Sequence, residues 1–210
     1  MLVSNHILRF IAIGCVLGAA VFDVISLGTH GLFYFKYTGG SADFHFGNFE
    51  SGCSGSDCPS DSSLKICDWA GDLNLFKGTL ANGFLCVAGF FLLLNSLLFI
   101  NKEGNAFFFS LLGSLCVISG YGSFRTFFKN SDYYDSLKDA EDMGIITWGY
   151  GANTTLESLS FIAGLVGSVI FLLLFIMRIK SEGFSSYFSS SPSLSSSPTP
   201  SDNQGKYRNF

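Results

Sequence analysis

Two apolar stretches decide the fold of this chain: Phe90-Phe-Leu-Leu-Leu-Asn-Ser-Leu-Leu-Phe-Ile100 and Val169-Ile-Phe-Leu-Leu-Leu-Phe-Ile-Met177. Neither leaves the polar face that a helix of a soluble protein turns to water. A helix needs about 20 apolar residues to cross a bilayer, and such windows occur at 7–28, 79–100, 106–124 and 159–177. The sequence therefore predicts an all-α membrane protein with a bundle of four transmembrane helices.

The composition agrees with this prediction and gives no sign of catalysis. Of the 210 residues, 48% are hydrophobic and only 13% are charged, which is more apolar than a soluble domain needs. Nucleotide-binding, metalloprotease and nucleophile-elbow motifs are absent from the sequence, and His6, His30 and His45 lack the spacing of a metal site. We expect no enzyme, no cofactor, no metal and no nucleic-acid partner.

The first window has two interpretations. Arg9, the apolar run after it and the small residues Gly18-Ala19-Ala20 are compatible with a cleaved signal peptide. The run continues past Ala20 to Gly28, although Asp23 interrupts it, and this favours a retained helix. Either interpretation places the following loop outside the cell.

Basic residues near the ends of the windows predict the orientation. Arg178 and Lys180 follow the fourth window, Lys102 lies in the short turn between the second and third, and Arg9 lies at the start of the first. Because cytoplasmic loops are enriched in Lys and Arg, we expect a multi-pass plasma-membrane protein with both termini in the cytoplasm. Loops at about 29–78 and 125–158 then face outward.

The first of these loops contains three cysteines, Cys53, Cys58 and Cys67, among Gly, Ser and Asp residues. Disulfides persist in oxidising compartments, which agrees with an outward loop. Three cysteines allow one bridge and leave one thiol over, and the spacing alone leaves the pairing open. The other cysteines lie within predicted spans, where they serve as small packing residues: Cys15, Cys86 and Cys116.

Further local structure is predicted in both loops. Aromatic residues at 31–37 and 43–49 flank Thr38-Gly39-Gly40 and indicate a β-hairpin. Residues 131–143 are charged and form either a short helix or an extension of the third span. Asn153-Thr154-Thr155 is an N-glycosylation acceptor sequence on the outward side.

Small residues four positions apart predict close packing between the spans. Such pairs include Gly14 with Gly18, Ser110 with Ser114, Cys116 with Gly120, Ala163 with Gly167, and Gly164 with Ser168. No Lys, Arg or His lies deep in a span, and the only acids near one are Asp23 and Glu157, towards the outer ends. This scarcity argues against a transporter, because transporters use intramembrane ionisable groups.

The topology and part of the first loop resemble the claudin and peripheral-myelin-protein superfamily of four-span proteins. Cys58 and Cys67 match the family's cysteine pair, and Gly31-Leu32-Phe33 matches its Gly-Leu-aromatic element, although here that element precedes the pair by more than twenty residues. Lys77 stands where the family often has a basic residue before its second span. Trp69 follows the cysteines, whereas the family has Trp before them.

The resemblance implies a four-helix bundle with a small extracellular antiparallel sheet, a Cys58–Cys67 disulfide with Cys53 as alternative or free thiol, and a role in cell contact, adhesion or membrane organisation. The partners would be the lipid bilayer and other membrane proteins in cis or trans, including further copies of the chain. The alternative from another class is a channel, transporter or auxiliary channel subunit.

The C-terminal part separates from a membrane domain at 1–180. Residues 181–210 form a tail in which Ser185–Ser201 is dominated by Ser with Pro192, Pro198 and Pro200, a composition typical of disorder. Tyr207-Arg-Asn-Phe210 matches a Tyr-x-x-apolar sorting signal, which predicts a clathrin adaptor as partner.

Overall fold

The structure is a computed structural model that describes residues 2–29, 31–48, 51–56 and 73–182. Residues up to Phe175 belong to one compact unit, and the last turns of the final helix, from Ile176, belong to a second. In chain order the elements are α1 (Leu2–Gly28), β1 (Phe33–Tyr37), β2 (Asp43–Phe46), β3 (Ser51–Ser54), α2 (Leu73–Leu98), α3 (Glu103–Lys129), α4 (Asp132–Asp142), β4 (Ile146–Tyr150) and α5 (Ala152–Glu182).

Four of these helices are long and apolar enough to cross a membrane, as the sequence predicts: α1, α2, α3 and α5. Two helices start well before their predicted windows, α2 six residues earlier and α5 seven. The third span ends at Lys129 rather than at 124, because Phe124 and Phe128 continue its buried face into the sheet end of the molecule. Residues 131–143 do not extend α3: Ser131 caps a separate helix by accepting a hydrogen bond from the backbone N–H of Tyr134.

Glycines bring α2 and α3 into close contact. A methyl group added at Gly113 would lie 3.0 Å from the carbonyl oxygen of Gly89 and 3.1 Å from the backbone nitrogen of Leu93. Near the sheet end, Gly120 faces the side chain of Asn82 in the same way. Small residues therefore allow the two backbones to approach within van der Waals distance, which is how helices associate in lipid.

Gly113→Ala is therefore expected to destabilise the bundle by about 1–3 kcal/mol, because the added methyl group meets backbone atoms that cannot rotate away. Gly122→Ala on the same helix is the matched control. A methyl group there has nothing within 4 Å, so this variant is expected to be neutral or slightly stabilising. Thermal unfolding of the two purified variants in the same detergent measures the difference, and equal midpoints would contradict the packing.

α5 packs against α1 and α3 in the part of the helix that belongs to the first unit. The Ser168 hydroxyl donates to the Ser110 hydroxyl at 2.9 Å, and the Ser160 hydroxyl donates to the carbonyl of Ala19 at 2.8 Å. The predicted small-residue packing is wrong for one pair, Gly14 with Gly18, because no atom lies within 4 Å of a methyl group added at either position. Both glycines lie on the side of α1 that faces away from the bundle.

The strands form one antiparallel sheet in the order β3-β2-β1-β4. The predicted hairpin is confirmed as β1 and β2, with Phe35 opposite Phe44. β3 and β4 were not predicted from the sequence. β4 follows α4 and pairs with β1, with Phe35 opposite Trp148, so the two long connections between spans contribute to the same sheet.

The sheet, α4 and the adjacent ends of α2 and α3 share one core, and we call this assembly the head. Its buried side chains are Leu32, Phe33, Phe46, Leu75, Phe124, Phe128, Leu137 and Ile146. Phe33 stacks on Phe46 with ring centroids 4.4 Å apart and contacts Phe128 at 4.8 Å. Burial raises the pKa of Tyr133, whose ring lies beside Phe33, to about 12, so its phenol stays neutral at physiological pH. The head is therefore packed directly onto the helices.

An ion pair joins α1 and α3 at the end of the bundle opposite the head. Arg9 donates to the carboxylate of Glu103, which is buried, whereas Arg9 is partly exposed. Glu103 is the first residue of α3, where a negative charge is also favoured by the helix dipole. This pair ties the start of the first span to the turn between the second and third.

Candidate functional site

A set of buried polar side chains lies between α1, α2 and α5 close to the head, and we call it the polar cluster. Its members are less than 2% exposed and come from four segments: Asp23, Ser26, Asn48, Asn82, Cys86 and Glu157. Asp23 and Ser26 lie in the last two turns of α1, and Glu157 lies in the second turn of α5. Buried polar groups within membrane helices are costly unless they are paired, so they indicate function by default.

Glu157 is the centre of the hydrogen bonds in the polar cluster. Its Oε1 atom accepts from the Ser26 hydroxyl at 2.9 Å and from the Asn82 amide at 2.9 Å, and the Cys86 thiol lies 3.8 Å away. The Asn82 amide also donates to Asn48 Oδ1 at 2.8 Å. A single carboxylate oxygen therefore links three helices and the segment that follows β2.

Four other polar atoms of the polar cluster form no hydrogen bond of ordinary geometry with the described residues: both carboxylate oxygens of Asp23, Glu157 Oε2 and Asn48 Nδ2. The Asn48 amide nonetheless lies close enough to Glu157 for a weak hydrogen bond, as the Cys86 thiol does to Asp23. Asp23 lies near Cys86 and interacts electrostatically with Glu157. Within the described part of the chain, no basic side chain pairs with either acid. Two carboxyl groups thus share a buried site without a cationic side chain to balance them.

The sequence predicted that Asp23 and Glu157 lie near the outer ends of their spans, but not that they lie close to each other. Asp23 and Glu157 are more than 130 positions apart, and each was assigned only to the outer end of its own span. Asn82 interrupts an apolar window, which was an available signal for a polar contact between helices. Asn48 carried no such signal, because it lies among the polar residues of the first loop.

The head has an exposed apolar tip where β1 ends and β4 begins. Thr38 N–H donates to the Ile145 carbonyl, and Gly144, with a φ of 72°, forms the turn between α4 and β4. Tyr37, Met143 and Ile145 are exposed by 47%, 68% and 47%. We call these three residues the tip. Exposed acids at the end of α4 adjoin it: Asp139, Glu141 and Asp142.

Cys53 is disulfide-bonded and lies on β3, opposite Phe44. It is therefore not a free thiol, and this favours the alternative pairing, with Cys53 in the bridge, that the sequence left open. Cys58 and Cys67 lie outside the described residues, so the partner of Cys53 stays a prediction. Cys15, Cys86 and Cys116 are free thiols.

The proposed glycosylation site, Asn153, is buried. Its amide nitrogen donates to the carbonyls of Ser26 at 2.8 Å and Thr29 at 2.9 Å, and its side-chain oxygen accepts from the Thr29 hydroxyl. The side chain therefore joins the end of α1 to the start of α5. A glycan on Asn153 would replace these contacts, so the geometry argues against the predicted modification.

We accordingly expect Asn153 to carry no glycan in the folded protein. Treatment of the surface-expressed chain with an amidase that removes N-glycans should leave its electrophoretic mobility unchanged. Asn153→Gln should then alter stability rather than mobility, because the longer side chain cannot satisfy both carbonyls. A mobility shift in the wild type that is lost in Asn153→Gln would contradict this assignment.

The fold is thus mostly helical, with four helices of membrane-spanning length and a small antiparallel sheet at one end. No protein-family model matches the chain, and no curated protein matches it. Tyr207 and Phe210 of the predicted sorting signal lie outside the described residues. In the described part of the chain, no three His, Cys, Asp or Glu side chains are grouped as a metal site.

Proposed function

We propose that the chain is a claudin-like, multi-pass plasma-membrane protein that makes contacts with neighbouring membrane proteins through its head. The observation that carries this proposal is the pairing of β4 with β1, which joins the two long connections into one sheet. A head with a continuous aromatic core presents a fixed surface, whereas two separate loops would not. A fixed surface loses less conformational entropy on binding than a mobile one does.

The proposed orientation places the head outside and both termini in the cytoplasm. The disulfide-bonded Cys53 belongs to the head, in agreement with an oxidising compartment. Lys102 and Arg9 lie at the opposite end of the bundle, as the positive-inside rule requires. Burial of Ala12, Val16 and Ala19 in the bundle supports a retained first helix rather than a cleaved signal peptide.

Within the head, the tip is the proposed contact surface, because its exposed apolar side chains lie together. The double variant Met143→Ser/Ile145→Ser is expected to lose enrichment at borders between expressing cells, since it removes exposed apolar side chains and leaves the buried core unchanged. Tyr34→Ser is the matched control: Tyr34 is also exposed, by 40%, but lies on the broad face of the sheet. Equal border enrichment in all three proteins would exclude the tip as contact surface.

Removal of Cys53, or of whichever of Cys58 and Cys67 is its partner, is expected to abolish surface delivery or contact formation, because the bridge would restrain the connection that follows β3. Loss of a disulfide from a small extracellular module typically costs about 2–5 kcal/mol. Surface biotinylation of Cys58→Ser, Cys67→Ser and Cys53→Ser measures delivery, with Cys15→Ser as the control for a free thiol in a span. Normal trafficking and contact formation in Cys53→Ser, or in both Cys58→Ser and Cys67→Ser, would count against the proposal.

A channel, transporter or auxiliary channel subunit is the second candidate function, and the polar cluster is the observation that favours it. Buried acids from different spans mark ion pathways in membrane proteins, and here Asp23 and Glu157 share one site. The test is ion flux into vesicles that contain the purified chain, compared with Asp23→Asn vesicles. Flux that depends on Asp23 supports this function, and vesicles that stay tight argue against a conducting role.

A further inference from the structure

The polar cluster supports an inference that is independent of cell contact. We propose that Asp23 and Glu157 together bind one hard metal cation, of the Na⁺ or Ca²⁺ class, between α1, α2 and α5. The site lies within the bundle and close to the head, so bound cation would connect the spans to the segment that carries Asn48.

Charge balance is the first argument. Both carboxyl groups are fully buried, and each has oxygen atoms without a hydrogen-bond partner. An isolated buried carboxylate is strongly disfavoured unless a charge or several donors compensate it. Glu157 Oε1 is compensated by Ser26 and Asn82, whereas Asp23 has only the weak thiol donor of Cys86 nearby.

Glu103 shows how the same chain treats another buried acid. It is 1% exposed and lies in a span, but it is paired with Arg9. Arg9 is far from the polar cluster, at the opposite end of the bundle. No equivalent arginine or lysine reaches Asp23 or Glu157 among the described residues, so if these groups are ionised, a bound cation rather than a basic side chain would balance their charge.

The donor set indicates the class of cation. The atoms without partners are carboxylate oxygens, and the neighbouring groups that can complete a shell are amide and hydroxyl oxygens. Oxygen donors favour hard cations, and Ca²⁺ sites of this kind tolerate irregular geometry and often retain water molecules. The unpartnered Asn48 amide N–H can donate to such a water.

The test is thermal unfolding of the full-length chain in detergent at one fixed pH, in NaCl, CaCl₂ or choline chloride of equal ionic strength. A ligand present at about 100 times its Kd should raise the unfolding temperature by roughly 5–10 °C for a chain of this size. We expect NaCl or CaCl₂, but not choline chloride, to produce this increase, and the effective salt identifies the cation.

Variants then locate the site. Asp23→Asn and Glu157→Gln should lose the cation-dependent increase, whereas Glu103→Gln, which removes a buried acid elsewhere in the bundle, should retain it. If the two variants do not fold, equilibrium dialysis of the wild type with radioactive ²²Na⁺ or ⁴⁵Ca²⁺ should still give one bound ion per chain. The proposal is overturned if the wild type responds equally to all three salts, or if Asp23→Asn and Glu157→Gln respond like the wild type.

Discussion

Phe128→Ala is expected to lower the free energy of unfolding by about 3–5 kcal/mol, the usual cost of truncating a fully buried phenylalanine. Phe128 lies in the last turn of α3 and contacts rings from three other elements: Phe33 of β1 at 4.8 Å, Tyr134 of α4 at 5.4 Å and Trp148 of β4 at 5.9 Å. The cavity would therefore open where the sheet, α4 and the bundle meet.

The effect of Phe128→Ala should be largest in the head. Hydrogen exchange of the backbone amides of β1 and β4 is expected to accelerate strongly. Exchange around the contact between Gly89 of α2 and Gly113 of α3 should change little. Phe108→Ala is the matched control on the same helix, because Phe108 is 56% exposed. Equal destabilisation by the two variants, or no change in the exchange of β1, would contradict a common core.

Gly151→Ala is the second variant with a large expected effect. At this glycine, the segment that enters β1 lies directly against the segment that leaves β4. Gly151 N–H donates to the Leu32 carbonyl there at 3.0 Å. A methyl group at Gly151 would lie 2.7 Å from the carbonyl carbon of Gly31. Because both partners are backbone, the segments must separate, and we expect a cost of about 3 kcal/mol, the upper end for overpacking.

Loss of surface delivery and a lower unfolding temperature would both report this separation. Gly28→Ala is the control, since it adds the same methyl group near the end of α1, where nothing lies within 4 Å. Wild-type stability in Gly151→Ala would mean that Gly151 does not lie against the backbone of Gly31 and Leu32.

The helices were predictable because lipid requires long apolar windows, and all four windows correspond to helices. Their ends were less predictable. A window defined by hydropathy ends where the run of apolar residues ends. The helix α3 continues through Phe128 because the core of the head provides another apolar environment. The β1–β2 hairpin was predictable from local alternation of aromatic residues. β4 was not, because Ile146–Tyr150 is short and its partner, β1, is more than 100 residues away in the chain.

For the candidate sites too, contacts between residues distant in the chain could not be predicted. Asp23 and Glu157 were visible as isolated acids, but only the packing of α1 against α5 brings them together. Asn153 matched a local acceptor pattern, yet its neighbours in space, Ser26 and Thr29, decide that its amide is already used. Local motifs in this chain were therefore less informative than the contacts between segments that are distant in sequence.

A single outward-facing head built from both long connections is the central feature of the proposed function, and one cross-linking measurement tests it directly. Lys36 and Thr147 are directly opposite on β1 and β4, and both are exposed. Opposite residues of this kind have Cα atoms about 5.5 Å apart, within the range that a disulfide spans.

Lys36→Cys/Thr147→Cys is therefore expected to form a disulfide on intact cells, detected by mass spectrometry as a linked peptide that a membrane-impermeant reductant opens. Lys36→Cys/Asp135→Cys, whose second position lies on α4, serves as the unpaired control. If the Lys36→Cys/Thr147→Cys thiols remain unlinked under surface oxidation, or react only after the cells are permeabilised, the single outward-facing head is contradicted.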